Sequence, residues 1–264
     1  MHPLLNIAVR AARRAGNVIV RHLDKLDTLS VRSKERNDFV SEVDRLAEHE
    51  IIQTIRRAHP DHAFLAEESG RSGESDWVWI IDPLDGTTNF LHGFPVFAVS
   101  IAVRHRRRLE HAVIYDPMRQ ELFTASRGSG AQLDGRRCRV SERRDLAQAL
   151  IGTGFPFREH QRLDAYLAMF RTLVPKTAGI RRPGAASLDL AYVAAGRLDG
   201  FWEMGLKEWD IAAGALLIQE AGGLIGGLDG GTDWTSGDVI AGNRKIFAAL
   251  VKELSPLAPK SPGT

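Results

Sequence analysis

The sequence predicts an α+β region followed by an α/β region, with helices sandwiching sheets. Three observations predict it. Two long segments near the N-terminal end have helical apolar spacing, and short apolar runs bounded by Gly, Pro, Asp and Ser follow between residues 63 and 125. From about residue 141, strand-like and helix-like segments alternate. At 264 residues, 44% hydrophobic and 26% charged, the chain has material for one large domain or two moderate ones and for a sizeable core. Disorder, collagen and coiled coil are excluded as descriptions of the whole.

In chain order, Leu4, Ile7, Ala8, Ala11, Ala15, Val18 and Ile19 recur at three-four spacing, predicting a helix over 3–22 with Pro3 suited to its first position. Val43, Ala47, Ile51, Thr54, Ile55 and Ala58 predict a second helix over 41–58, where Ser41 with Asp44 resembles a cap. Strands are expected at 63–66, 77–81, 96–103, 112–115 and 121–125. The Arg-rich segment 136–144 suggests a division into residues 1–143 and 144–264. Beyond it come a strand at 149–152, helices at 164–173, 187–195 and 211–221, a short strand at 239–241 and a closing helix at 243–253. The glycines of 222–227 read as turns around a strand, and the Pro-containing tail 255–264 as frayed.

Charge and cysteine content narrow the function classes. Lys plus Arg is 35 against 33 Asp plus Glu, a net +2 that requires no polyanionic partner. The single cysteine, Cys138, excludes an internal disulfide framework and a Cys-based zinc site. Asn6 and Arg10 interrupt the apolar core a secretory signal needs. The longest strongly apolar stretch, 94–103, is about half the ~20 residues of a membrane helix. A soluble, cytoplasmic protein is expected. The arginines of 104–108 and 136–139 read as solvated hairpins, and His92 as a packing residue.

The informative segment is Trp79-Ile80-Ile81-Asp82-Pro83-Leu84-Asp85-Gly86-Thr87-Thr88-Asn89-Phe90. An apolar strand is expected to end at Asp82, because Pro83 has no N–H to continue a central ladder. Two carboxylates three residues apart then precede a group that could open a short helix, whose free N–H groups favour a phosphate. Hard oxygen ligands beside an anion cradle are what Mg²⁺-assisted phosphoryl transfer needs. The same residues also make an ordinary tight turn, and that reading stays open. The nucleophile loop of haloacid-dehalogenase phosphatases does not match, since its two Asp are separated by one residue and these by two. Glu67 and Glu68 follow an apolar strand, where neighbouring side chains point oppositely and only one can face a shared site. Asp210, in Trp209-Asp210-Ile211-Ala212-Ala213-Gly214-Ala215, sits at a helix start and could equally be a cap.

Taken together, Leu65-Ala66-Glu67-Glu68, the segment from Asp82 to Phe90 and the segment from Trp209 to Ala215 resemble the inositol monophosphatase family, Mg²⁺-dependent and lithium-sensitive sugar phosphatases, in its bacterial extragenic-suppressor type. The resemblance runs from about residue 4 to 254. It implies a layered αβαβα sandwich and a homodimer. It also implies that Glu67, Asp82 and the carbonyl of Leu84 hold a first Mg²⁺, that Asp82, Asp85 and Asp210 hold a second, and that Glu67 contributes to a weaker third. The nucleophile is then a water activated by the metal, oriented or deprotonated by Thr87 paired with Asp44, with no covalent phospho-enzyme. Phosphate falls to the N–H groups of Gly86 and Thr87, and the polyol to Asp85, the backbone around Gly184, Ala185 and Ala186, the carboxylate of Glu203, and Asp210. Arg181 or Arg182 approaches the substrate or a partner subunit, or lies on a solvated loop. Suppressor-type relatives also bind the transcription machinery and act in ribosomal RNA antitermination, so the alternative is a transcription partner. A third reading keeps the chemistry and changes the ester to fructose bisphosphate, histidinol phosphate or adenosine bisphosphate.

Overall fold

Small residues set how closely the outer helices pack. In the computed structural model, which describes residues 2–28, 31–35, 38–156 and 162–259, α1 (Pro3–His22) buries a stripe of Leu4, Leu5, Ala8, Ala11, Ala12, Ala15 and Ile19. Gly16 lets it seat on the first sheet, where an added Cβ would stand 2.6 Å from the Tyr115 ring. His2 caps the helix, its Nδ1 accepting the Leu4 N–H at 3.2 Å. A hairpin of β1 (Val31–Glu35) and β2 (Asp38–Ser41), which the apolar spacing does not reveal, leads into α2 (Glu42–Arg56). The part of Ser41 in the expected cap lies outside the described side chains.

The first sheet has eight strands. They are β3 (Ala63–Ala66), β4 (Gly70–Ser72), β5 (Trp77–Asp85), β6 (Ala98–His105), β7 (Arg108–Asp116), β8 (Glu121–Ser126), β9 (Gly130–Leu133) and β10 (Arg136–Arg137), in the order β10-β9-β8-β7-β6-β5-β3-β4. Among the described residues of this sheet, β3 and β5 are the one parallel pair. Trp79, Ile81, Val99, Ile101 and Val103 face α1 and α2. Ile80, Ala98, Ala102, Ala112 and Ile114 face the opposite helices. Covering both faces is what gives these strands near-continuous apolar runs.

One expectation is corrected here. The strand at 77–81 continues through Pro83 to Asp85. The β3 ladder ends at Ile81, so Pro83 has no partner on that side, and pairing with β6 is irregular between Asp82 and Asp85. Proline is tolerated at such a bulge. Strand β6 also starts at Ala98 rather than 96. A single short helix, α3 (Thr87–Leu91), follows β5, and His92 at its end is exposed rather than packed.

The rest of the chain alternates as expected. It runs β11 (Leu150–Thr153), α4 (Leu163–Leu173), β12 (Gly179–Arg181), α5 (Ala186–Ala194), β13 (Gly200–Glu203), α6 (Glu208–Glu220), β14 (Leu224–Gly227), β15 (Val239–Gly242) and α7 (Arg244–Leu254). The second sheet has the order β12-β11-β13-β15-β14. Buried α5 and α6 lie between the two sheets, while α4 and α7 close the far face over Ile151, Trp202 and Ile240. The layers are helix, sheet, helix, sheet, helix. Gly214 is the close crossing of α6 on α5, since a Cβ there would meet Leu190 at 2.4 Å. Helix α6 begins at Glu208, before the expected start at Ile211, because its first turn, with Glu208 and Asp210, carries the unpaired N–H groups. Ser255–Leu257 form one further 3₁₀ turn, and the last part of the expected frayed tail, 260–264, lies outside the described residues. Among the described residues no helix is long and apolar enough to cross a membrane.

Candidate active site

The ends of β3 and β5 bring the first carboxylates together. The Glu67 N–H donates to the Ile81 carbonyl at 3.1 Å, tying the residue after β3 to its parallel neighbour. The turn beyond is held from α2, where Glu48 Oε2 and Oε1 accept the N–H groups of Glu68 and Ser69 at 2.9 and 3.0 Å. Glu67 consequently lines a cavity of about 300 Å³, and Glu68 is not among its lining residues. Asp82, Leu84 and Asp85 come from the irregular end of β5, and Asp82 Oδ1 accepts the Leu84 N–H at 3.0 Å. Gly86 then turns the chain with φ +92°, where a Cβ would stand 2.9 Å from the Val96 carbonyl oxygen. That left-handed turn points Thr87, Thr88 and Asn89 along the same cavity.

Thr87 connects this loop to α2. Its hydroxyl lies 2.9 Å from Asp44 Oδ1 and 3.0 Å from the Leu84 carbonyl oxygen, and Asp44 is fully buried. One hydroxyl proton serves these two acceptors.

The second half of the chain supplies the opposite wall. Ala185, the residue before α5, has no side chain that can cap the helix. Asp85 does it from the other half: its Oδ2 accepts the Ser187 N–H at 2.7 Å and the Ser187 hydroxyl. Asn89 Nδ2 ties the halves further, donating to the carbonyls of Val96 at 2.7 Å and Pro183 at 2.8 Å. Gly184, Ala185, Ala186, Glu203 and Asp210 all line the cavity. Asp210 is the third residue of α6, and its Oδ2 accepts the Lys207 N–H at 2.7 Å. Glu203 ends β13 facing Gly154, where a Cβ would fall 1.9 Å from its Oε1.

Arg181 is the exception among the expected residues. It is exposed, its Nη1 turns back to the carbonyl of Ile180 at 3.0 Å, and it does not line the cavity. Arg182 does, with its guanidinium 4.6 Å from the centre of the Phe155 ring. Alternation along the extended backbone turns Arg181 away and sets Arg182, also exposed, at the rim of the cavity. Arg104, expected on a solvated hairpin, instead pairs with Glu208 at the start of α6.

The carboxylates act on one another. Burial, then the charges of Glu67, Asp85 and Asp210, hold the Asp82 carboxyl well above the usual carboxylate range. Asp85 is pushed up to about 7, by burial first and Asp210 second, against the lowering effect of Ser187. Among the described residues, no three His, Cys, Asp or Glu side chains are already closed on one point. The chemistry of the donors nevertheless suits a hard divalent cation. All are oxygens, the backbone carbonyl of Leu84, which accepts from the Thr87 hydroxyl, stands beside them, and their mutual repulsion is of the kind a divalent charge reverses.

Sequence reasoning missed Gly154, Thr153, Phe155 and Asp189, all of which line the cavity. The one local signal was Gly152-Thr153-Gly154, two glycines ending a strand.

The family model described as the inositol monophosphatase family matches residues 1–257. A protein from Pseudomonas aeruginosa called Nus factor SuhB is 60% identical over 99% of this chain and 99% of its own. Among solved structures, extragenic suppressor protein suhB from Bartonella henselae superposes with a TM-score of 0.93 at 47% identity, covering 96% of this chain and 98% of its own. Inositol monophosphatase from Anabaena superposes at 0.86 with 38% identity, covering 97% and 96%. With these relatives, a layered fold of the same kind and an acidic cavity at the junction of its halves, the chain belongs to the inositol monophosphatase family.

Proposed function

We propose that the chain is a cytoplasmic, Mg²⁺-dependent and lithium-sensitive phosphomonoesterase that hydrolyses myo-inositol monophosphate and related small polyol phosphates. The observation that carries this is the meeting of Glu67, Asp82, Asp85 and Asp210 on one cavity beside the Thr87–Asp44 pair. Glu67, Asp82, the Leu84 carbonyl, Asp85 and Asp210 would hold two Mg²⁺, with a third, weaker ion at Glu67. Bound there, Mg²⁺ supplies an activated water and neutralises charge on the phosphate oxygens. With the Leu84 carbonyl engaged, the Thr87 hydroxyl donates to Asp44 alone. It can then take a proton from the attacking water while passing its own to Asp44. The N–H groups of Gly86 and Thr87 orient the phosphate, and Glu203 accepts hydrogen bonds from ring hydroxyls. Asp85, the backbone at Gly184, Ala185 and Ala186, and Asp210 complete the substrate site, and Arg182 takes the part first expected of Arg181. The working form is a homodimer.

Phosphate release from a set of phosphorylated polyols tests this reading. Release from inositol 1-phosphate above the other esters supports it, and no release from any of them with Mg²⁺ refutes it.

A second reading rests on the 60% identical relative named as a Nus factor. In that reading the chain binds the transcription machinery, independently of catalysis. Binding to RNA polymerase by an Asp82→Asn variant tests it: retained binding supports the role, and absent binding by wild type and variant alike refutes it.

A further inference from the structure

Asp189 lines the cavity wall with Glu203 and Arg182, and it is only 1% exposed. Its Oδ1 has no hydrogen-bond partner among the described residues. Buried carboxyl groups are otherwise hydrogen-bonded, so an orphaned one at the edge of a cavity points to a partner that arrives with a ligand.

The strand end is shaped around it. Gly152 and Gly154 stand two residues apart at the end of β11, and neither position has room for a side chain. A Cβ on Gly152 would come within 3.3 Å of Asp189 Oδ1, and one on Gly154 would fall on the Glu203 carboxylate. Residues two apart on an extended strand share a face. The two glycines therefore clear space for two carboxyl groups side by side.

We propose that Asp189 is a specificity-determining residue. It takes a hydrogen bond, directly or through one ordered water, from a ring hydroxyl of a polyol phosphate, next to the hydroxyls that Glu203 accepts. The inference rests on the phosphatase reading above and deepens it: the substrate class is a phosphate ester of a polyhydroxylated ring, not any small phosphate ester. Burial, then the charges of Glu203 and Asp85, push the Asp189 carboxyl well above the ordinary range. A neutral carboxyl offers a donor and an acceptor together, which matches a hydroxyl. Sites built to hydrogen-bond a substrate hydroxyl reject analogues that lack it far more strongly than apolar pockets reject a missing methylene.

The test compares inositol 1-phosphate with cyclohexyl phosphate, a ring ester without hydroxyls, on the full chain with Mg²⁺. Asp189→Ala should lower kcat/KM for inositol 1-phosphate by about tenfold or more, mainly through KM, and leave cyclohexyl phosphate within about twofold. Asp189→Asn, which keeps a donor and an acceptor, should hold the wild-type ratio between the two esters. Asp189→Ser serves as a second shortened side chain with the same expectation as Ala. Thermal unfolding and turnover of cyclohexyl phosphate report the fold. Equal losses on both esters, or an unchanged ratio in every variant, overturn the inference while the phosphatase reading stands. A wild-type chain inactive on both esters overturns that reading and the inference with it.

Discussion

The Thr87 hydroxyl and the Asp44 carboxylate meet at 2.9 Å across 43 residues of sequence, joining the loop after the central strand to the second helix. Asp44 is fully buried on α2, so Thr87 is a fixed link between loop and helix. This pair should act as one unit. Thr87→Ala and Asp44→Asn should each lower kcat by ~10²–10⁴-fold, with the double variant little worse than either. Thr87→Ser should restore most of the rate, because it returns the hydroxyl. Steady-state phosphate release, with melting temperatures alongside, checks this. A Ser variant as slow as Ala would remove the hydroxyl from the mechanism.

The acidic cluster makes metal-free stability depend on pH. Asp85 titrates near 7 in the folded chain and near 3.8 in the ordinary case, so between these values the folded state binds the extra proton. Its contribution to stability is therefore greatest below about 3.8 and is lost as pH rises through about 7. His111 works in the opposite sense. Burial and His2 hold it near 4, so it costs stability below its ordinary 6.5. Comparing wild type with Asp85→Asn isolates the carboxylate. In chelator the variant should gain stability relative to wild type between pH 5 and 8 by denaturant unfolding, and Mg²⁺ should raise the wild-type melting temperature more at pH 8 than at pH 5. Equal Mg²⁺ shifts at both pH values would contradict the shared acidic site.

Gly154 should not tolerate even one methyl group. A Cβ there would overlap the Glu203 carboxylate, so Gly154→Ala must displace the group proposed to accept the ring hydroxyls. A tenfold or larger rise in KM for inositol 1-phosphate is expected, with a stability loss of about 1–3 kcal/mol from overpacking. An unchanged KM would mean that Glu203 does not touch the substrate.

Much of this was legible because local chemistry marked it. Glu67 and Asp82 after apolar strands, the Leu84-Asp85-Gly86 run and Asp210 at a helix start each stand out along the chain, and the fold draws these to one cavity. The alternation of strand and helix after residue 141 was equally readable from periodicity. What escaped depended on contacts distant in sequence. Asp189 sits in a mostly apolar helix and looks like a stray polar residue until the second sheet places Gly152 against it. The choice of Arg182 over Arg181 is set by which side of an extended segment faces Phe155. Pro83 misled because its neighbour strand stops at Ile81, which composition does not reveal. The double duty of Asp85, capping α5 from the other half of the chain, is likewise a property of the assembled layers.

The central claim is that buried carboxylates at the strand ends direct phosphate hydrolysis, and the Asp82 carboxyl is raised by the charges of the other three, Glu67, Asp85 and Asp210. The most direct measurement is phosphate release from inositol 1-phosphate with Mg²⁺ by wild type and Asp82→Asn at matched folded concentration. The account predicts release by wild type and a loss of about 10³-fold or more in the variant, with its circular dichroism spectrum unchanged. A folded Asp82→Asn protein that turns over at the wild-type rate would contradict it.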